Sequence, residues 1–399
     1  MGSVYVVGTG DTKLRELEYV RDLIAACDVD TVLVDVGTTP HDTTADVGPA
    51  EVAAHHPDGA AAVSSDDRGA AVEAMSVALE HFVDSRLDDI SGIIGAGGSG
   101  GTALVTPAMR RLPVGVPKLM VSTVASANVA PYVGPSDIMM MYSVTDVSGI
   151  NRISRVVLGN AAHAMAGMVT SSIPPSSTDL PPVGLTMFGV TTPLVTRLAE
   201  ELSGAYDPLV FHATGTGGQS MEKLVDSGMV VGVLDMTTTE VADHLVGGVF
   251  SAGLDRIGAI ARTRVPYVGS VGAVDMVNFG ALDTVPAEFA DRNLHVHNPQ
   301  VTLMRTTADE NRAIGEFIAT KLNACDGPVR FLLPEGGVSL IDAPGQPFHD
   351  PEADEALFAA IEANVQQTAD RIVTRVAANI NDEEFVQAAL AAFADVMRD

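Results

Sequence analysis

Residues 93–102 read Ile93-Ile94-Gly95-Ala96-Gly97-Gly98-Ser99-Gly100-Gly101-Thr102. An apolar run of strand type passes through a glycine-rich turn into a helix start. Glycine lets the backbone approach an anion closely, and the helix that follows offers free N–H groups and the positive end of its dipole. Gly95, Gly97 and Gly100 fit G-x-G-x-x-G after a strand, although tight turns and close helix packing also demand glycine. The phosphate-binding candidates here are Gly97, Gly98, Ser99, Gly100, Gly101 and Thr102.

The same strand–turn–helix logic occurs twice more. At the amino end, GTGDTK supplies Gly8, Thr9, Asp11, Thr12 and Lys13 to the same nucleotide-binding set. Asp11 or Thr12 equally serves as a helix cap. The spacing does not match the P-loop G-x-x-x-x-G-K-[ST]. Asp35 ends a strand before Gly37, where an acid bonds a ribose hydroxyl or simply shapes a turn. In the second half, Val210–Gln219 echoes Ile93–Thr102, by duplication or by convergence on one turn geometry. A second crevice is therefore expected from Thr214, Gly215, Thr216, Gly217, Gly218 and Gln219, with Asp235, Thr237 and Glu240 of DMTTTE beside it.

Outward from these turns, strand patterns alternate with amphipathic helices. Val4–Val7, Thr31–Asp35, Gly92–Gly95, Lys118–Ser122 and Ile138–Tyr142 read as strands, with helices at 13–25, from Thr102 and at 151–168. The alternation restarts at Val183–Phe188 and runs through Pro208–His212, Val230–Leu234, Pro266–Gly269, Val301–Arg305 and Val329–Leu333, closing with a helix over 383–397. A helix over 239–252 is also expected. Strands separated by helices imply parallel pairing. The fold class is α/β, with two Rossmann-like domains and mostly parallel sheets: 1–172, a proline- and serine-rich linker at 173–182, and 183–399.

Composition narrows the function. The chain has 399 residues, 46% hydrophobic and 19% charged, enough for two cores. Its formal charge is −28, and lysine occurs only at 13, 118, 223 and 321. Such a surface repels nucleic acid and anionic membranes and suits high cytoplasmic salt, as in acidic halophile-like proteins. Cys27 and Cys325 form no CxxC motif, no run reaches the ~18 apolar residues of a membrane helix, and the amino terminus reads directly as a strand. A cytoplasmic protein without a signal peptide is expected.

Other constellations are weaker. Glu240 and His244 share a helix face, and His295 and His297 share one side of an extended segment, but neither pair completes a metal site. The loop 334–354 gathers Glu335, Ser339, Asp342, His349 and Asp350, which form an acid–base site or only cap the next helix. No G-x-S-x-G elbow occurs, and no catalytic residue or metal ligand can be named.

Together GTGDTK (8–13), DVG (35–37), GAGGSGGT (95–102), HATGTGG (212–218), DMTTTE (235–240), AVDMVNFG (273–280), HNPQVTLMRTT (297–307), LPEGGVS and PFHDPEAD (333–354) resemble one family, the Tm-one-like ATP-binding family. It takes its name from the amino-terminal domain of a plant protein conferring resistance to tomato mosaic virus. The resemblance covers essentially the whole chain. It implies two Rossmann-like domains, a homodimer and bound ATP, with magnesium as a possible companion. The expected function is nucleotide binding, with a small-molecule substrate in the crevice between domains as a further expectation. The alternatives are an ATP-dependent enzyme acting by hydrolysis or phosphoryl transfer on a small carboxylate, and a dinucleotide-dependent oxidoreductase. Phosphoryl transfer needs cations, for which Arg152, Arg155, Arg305, or magnesium on Asp11 and Asp235, are the candidates.

Overall fold

The computed structural model describes residues 2–398 apart from Asp66, Pro175, Ser177 and Thr178. The chain divides into two compact units, Met1–Pro175 and Ser176–Asp399. The linker expected at 173–182 lies partly outside the described residues, and its last residue, Pro182, opens a strand.

In the first unit the order is β1 (Ser3–Gly8), α1 (Gly10–Ala25), β2 (Thr31–Asp35), α2 (Pro49–Ala53), α3 (Arg68–Asp84), β3 (Ile90–Gly97), α4 (Ser99–Arg111), β4 (Lys118–Ser122), α5 (Ala130–Val133), β5 (Met139–Tyr142) and α6 (Arg152–Thr170). The strands pair in parallel in the order β2-β1-β3-β4-β5. Both faces of the sheet are buried, and successive side chains of β1 divide between them. Val4 and Val6 pack with α1 and α6, whereas Tyr5 and Val7 pack with α3 and α4.

The sequence reading places no element between Asp35 and Gly92, yet α3 lies there. Asp67 caps it by accepting from the Gly69 and Ala70 amides, and its buried stripe includes Ala71, Met75, Ala78, Leu79 and Phe82. Alanines supply part of that stripe, so the large apolar side chains alone mark the helical period only faintly.

The second unit contains β6 (Pro182–Met187), α7 (Thr192–Leu202), β7 (Asp207–His212), α8 (Thr216–Asp226), β8 (Gly232–Thr237), α9 (Thr239–Val246), α10 (Gly258–Thr263), β9 (Tyr267–Gly272), β10 (Met276–Phe279), β11 (Leu294–Asn298), β12 (Val301–Arg305), α11 (Ala308–Asn323), β13 (Val329–Pro334), α12 (Pro351–Asn364), β14 (Arg371–Val376) and α13 (Glu383–Val396). A parallel sheet runs in the order β14-β13-β9-β8-β6-β7. One face is covered by α7 and α13, the other by α8, α9, α11 and α12.

Two expectations change here. The strand at Val301–Arg305 leaves the parallel sheet and forms the centre of an antiparallel sheet ordered β10-β12-β11. The helix expected over 239–252 stops at Val246, because Gly247 takes a φ of 97° and ends it. No helix among the described residues is long and apolar enough to cross a membrane.

Candidate functional site

In the first sheet β1 lies between β2 and β3. After Gly8 the chain turns to the face covered by α1, and after Gly97 to the face covered by α4. Adjacent loops that part to opposite faces leave a crevice at the carboxyl edge, the usual ligand position in a doubly wound sheet. Gly8, Thr9, Asp11, Thr12 and Lys13 therefore belong to one lip, and Gly97, Gly98, Ser99, Gly100, Gly101 and Thr102 to the other.

The lips are chemically different. On the α1 side the protein supplies its own anion. The Gly10 amide donates to Asp35 Oδ1 at 2.8 Å, as does the Gly37 amide at 2.8 Å. The other oxygen of Asp35 meets His41 Nε2 at 2.7 Å. With no exposed surface, Asp35 caps α1 from inside and is not presented to a ribose hydroxyl. Asp11 Oδ2 accepts from the Thr39 amide at 3.2 Å, and the Thr9 and Thr12 hydroxyls lie 2.9 Å apart. Burial works against a charge on His41, but its bond to the Thr39 carbonyl and the Asp35 carboxylate raise its pKa above 6.5.

The α4 side is open. Gly98 occupies the cap position without a side-chain cap. Among the described residues, the amides of Ser99, Gly100 and Gly101 have no acceptor within the chain. Ser99 and Gly100 are exposed. A Cβ added at Gly100 or Gly101 would meet nothing within 4 Å, and one at Gly98 only Thr123 Oγ1 at 3.7 Å. Gly97 differs, since its Cβ would approach Gly101 Cα at 3.2 Å. Internal packing thus accounts for Gly97 but not for Gly98, Gly100 or Gly101. Behind the turn the buried Thr102 hydroxyl contacts the Gly98 carbonyl at 2.8 Å and Ser122 Oγ at 2.6 Å, fixing the loop. Near the end of β2 lies a cavity of about 680 Å³, lined by residues that include Thr38, Thr39, His41, Ala53, Val63 and Met75.

The second glycine-rich turn is closed. Glu240 Oε1 accepts from the Gly215 amide at 2.7 Å and the Gly218 amide at 3.0 Å. A Cβ on Gly218 would lie 2.1 Å from Glu240 Oε2, and one on Gly217 would lie 1.8 Å from the His212 carbonyl oxygen. Here the glycines are required by the protein itself. Arg256, 2% exposed, reaches Glu240 at 2.8 Å, Asp235 at 2.6 Å and Glu222 at 3.0 Å. Asp235 also accepts from Thr186 and Tyr267, and the Thr237 hydroxyl bonds to Thr191 and the Thr186 carbonyl. Asp235, Thr237 and Glu240 are therefore interior residues of an ion network, which corrects their assignment to a ligand-facing crevice. Gln219 bonds to the Ala252 carbonyl, and Thr216 begins α8 as an exposed residue. Burial pushes the carboxyls of Glu222 and Glu240 up, against the pull of Arg256. Arg256 and Glu222 carry no sequence signal, because nothing in their local spacing announces that they meet.

A second interior cluster absorbs the polar loop after β13. Arg305 contacts Asp354 at 2.8 Å and Asp342 at 3.3 Å. Ser339 Oγ donates to Asp275 Oδ2 at 2.8 Å, while Asp275 Oδ1 has no partner. Burial raises the carboxyls of Asp275, to about 7, and of Asp342 and Asp354. Asp350 caps α12 through the Ala353 amide, and His349 Nδ1 lies 3.0 Å from the Asp342 carbonyl. Arg305 is thus committed internally, as is Asp235, so neither serves a ligand phosphate or a magnesium ion. His244 lies near Ser251 while Glu240 turns to Arg256, so these two do not act as a pair. Among the described residues, no group of three or more His, Cys, Asp or Glu side chains is placed to hold a metal ion.

Comparison with known proteins adds family relationships. Residues 2–174 match the model described as "Uncharacterised protein family (UPF0261) N-terminal domain", and residues 180–397 match the C-terminal domain of the same description. The UPF0261 protein mlr3387 of Mesorhizobium japonicum is 57% identical over the full length of both chains. The ToMV resistance protein Tm-1(GCR237) of Solanum lycopersicum is 44% identical over 98% of this chain, which spans 55% of the plant protein. A solved UDP-N-acetylglucosamine 2-epimerase from Rickettsia bellii aligns at 10% identity over 67% of this chain and 78% of that one, with a TM-score of 0.24, too low to argue from.

Proposed function

The chain belongs to the UPF0261 family, and we propose that it binds ATP in its first unit, with the phosphates on the Gly98–Gly101 turn. The observation that carries this reading is the contrast between two similar turns. The Gly215 and Gly218 amides at the start of α8 are bonded to Glu240, whereas among the described residues the Ser99, Gly100 and Gly101 amides that open α4 have no such internal carboxylate and are fronted by space that no side chain of the turn fills. Unbonded first-turn amides with the positive end of a helix dipole suit a phosphate.

The rest of the nucleotide has a place on the same edge. The loops after β2 and β3 flank β1, so they stand about 10 Å apart, two strand spacings. A nucleoside triphosphate spans that distance. Its base enters the cavity beside Ala53, Val63 and Met75. Asp11 brings a negative charge to this edge, so the triphosphate binds as its magnesium complex. The ion is held chiefly by phosphate oxygens and water, as magnesium commonly is.

Titration calorimetry in strong potassium chloride, with ATP and with or without magnesium, tests the reading. Saturable uptake is expected, together with a loss of at least about tenfold in a Gly98→Val/Gly100→Val variant, which blocks the amides without crowding the interior. No uptake of any adenine nucleotide, or unchanged uptake by the variant, overturns it.

A further inference from the structure

The second unit has its own cavity at the carboxyl ends of β6 and β7, distinct from the closed turn at Gly215–Gly218. It measures about 230 Å³, below the range typical of drug-sized ligands. Phe188 and Phe250 face it, with Val301 and Leu303 behind. Phe188 stands edge-on to the His212 ring at 5.3 Å and to the Phe250 ring at 6.2 Å. Phe188 is 8% exposed and Leu303 1%, so the apolar part is built into the core of this end.

The polar part is at the mouth. His212 and His297 are both exposed, and among the described residues neither imidazole has a hydrogen-bond partner within the chain. His297 sits at a break in the β11–β12 register, between Val296 and Asn298. His295, two residues earlier, packs against Phe348 and does not line the cavity. No acidic residue lines the cavity. A ligand's negative charge therefore meets no like charge on the cavity wall.

We propose that this cavity binds a small single-ring carboxylate, its ring against Phe188 and Phe250 and its carboxylate at His212 and His297. Aromatic edges and faces suit a flat ring. Imidazole N–H groups suit a carboxylate, and most strongly when charged. The site lies beside β6, where the strand order of the second sheet reverses, the same topological position that ligands take in doubly wound sheets. It is independent of ATP binding in the first unit.

Benzoate is the probe, with benzamide as the uncharged ring and acetate as the ringless anion. Calorimetry on the full chain is expected to show saturable benzoate binding, with benzamide and acetate at least about tenfold weaker. The His212→Gln/His297→Gln variant is expected to lose about tenfold in benzoate affinity while keeping its thermal midpoint and its response to ATP. On the native protein, benzoate is expected to shift the imidazole Cε1–H signals of both histidines. No saturable binding up to about 10 mM benzoate, equal binding of benzamide, or native affinity in the double variant overturns the proposal. Should the double variant prove unstable, the benzamide comparison and the imidazole shifts still decide on the native chain.

Discussion

Gly218 and Glu240 approach so closely that a single methyl group would separate them. The Gly218 amide donates to Glu240 Oε1 at 3.0 Å, and an added Cβ would fall 2.1 Å from Oε2. A turn that looks built for a ligand anion holds an internal one. The prediction is a divergence between similar substitutions. Gly218→Ala is expected to cost about 3 kcal/mol or more, by displacing a buried carboxylate from its donors. Gly100→Ala, in open space, is expected to be neutral or stabilising by about 0.5 kcal/mol. Urea denaturation of both variants measures the difference.

Arg256 is the only cation directly paired with Glu222, Asp235 and Glu240 among the described residues. Arg256→Met leaves three buried carboxyls without it. A loss of about 3–5 kcal/mol is expected at neutral pH, the usual cost of breaking a buried pair on one side. Denaturant titration should show that loss shrinking as the pH is lowered and the carboxyls take up protons.

The Asp275, Asp342 and Asp354 cluster sets a pH dependence. Their folded-state pKa values are raised, Asp275 to about 7, so the folded chain retains protons that the unfolded chain gives up above about 4. Linkage then requires this contribution to be favourable at low pH and to decline as pH rises from about 4 through the raised values, about 7 for Asp275 and about 9 for Asp342, by up to ~1.4 kcal/mol per pH unit for each proton retained. The thermal midpoint is expected to be higher at pH 5.5 than at pH 8, and Asp275→Asn to flatten the slope. A midpoint rising over that interval contradicts the assignment.

His41 tests the internal cap of α1. Its pKa is raised above 6.5 by the Thr39 carbonyl and Asp35, so the stabilisation from this pair is full below 6.5 and lost as pH climbs through the folded value. NMR titration of the His41 ring is expected to show the elevation, and Asp35→Asn to lower the midpoint toward 6.5. An unchanged midpoint removes Asp35 as a cause.

Strand–turn–helix grammar is local, and that much was legible. Apolar runs, glycine-rich turns and amphipathic periods are sums over near neighbours along the chain, so the two parallel sheets and the turns at Gly8, Gly97 and Gly215 follow from the residues themselves. The faint stripe of α3 and the antiparallel place of Val301–Arg305 did not follow, because one depends on alanine packing and the other on partners far along the chain.

Sequence alone determined that three glycine-rich turns open helices with amides to offer. Only the tertiary structure decided which amides were already taken. Asp35 reaches Gly10 from 25 residues away, and Glu240 reaches Gly215 from the same separation, whereas among the described residues no side chain reaches the amides of Gly100 and Gly101. The glycine pattern records only that a close approach is possible. What approaches, a carboxylate of the chain or a ligand, depends on long-range folding that brings distant side chains to a helix end.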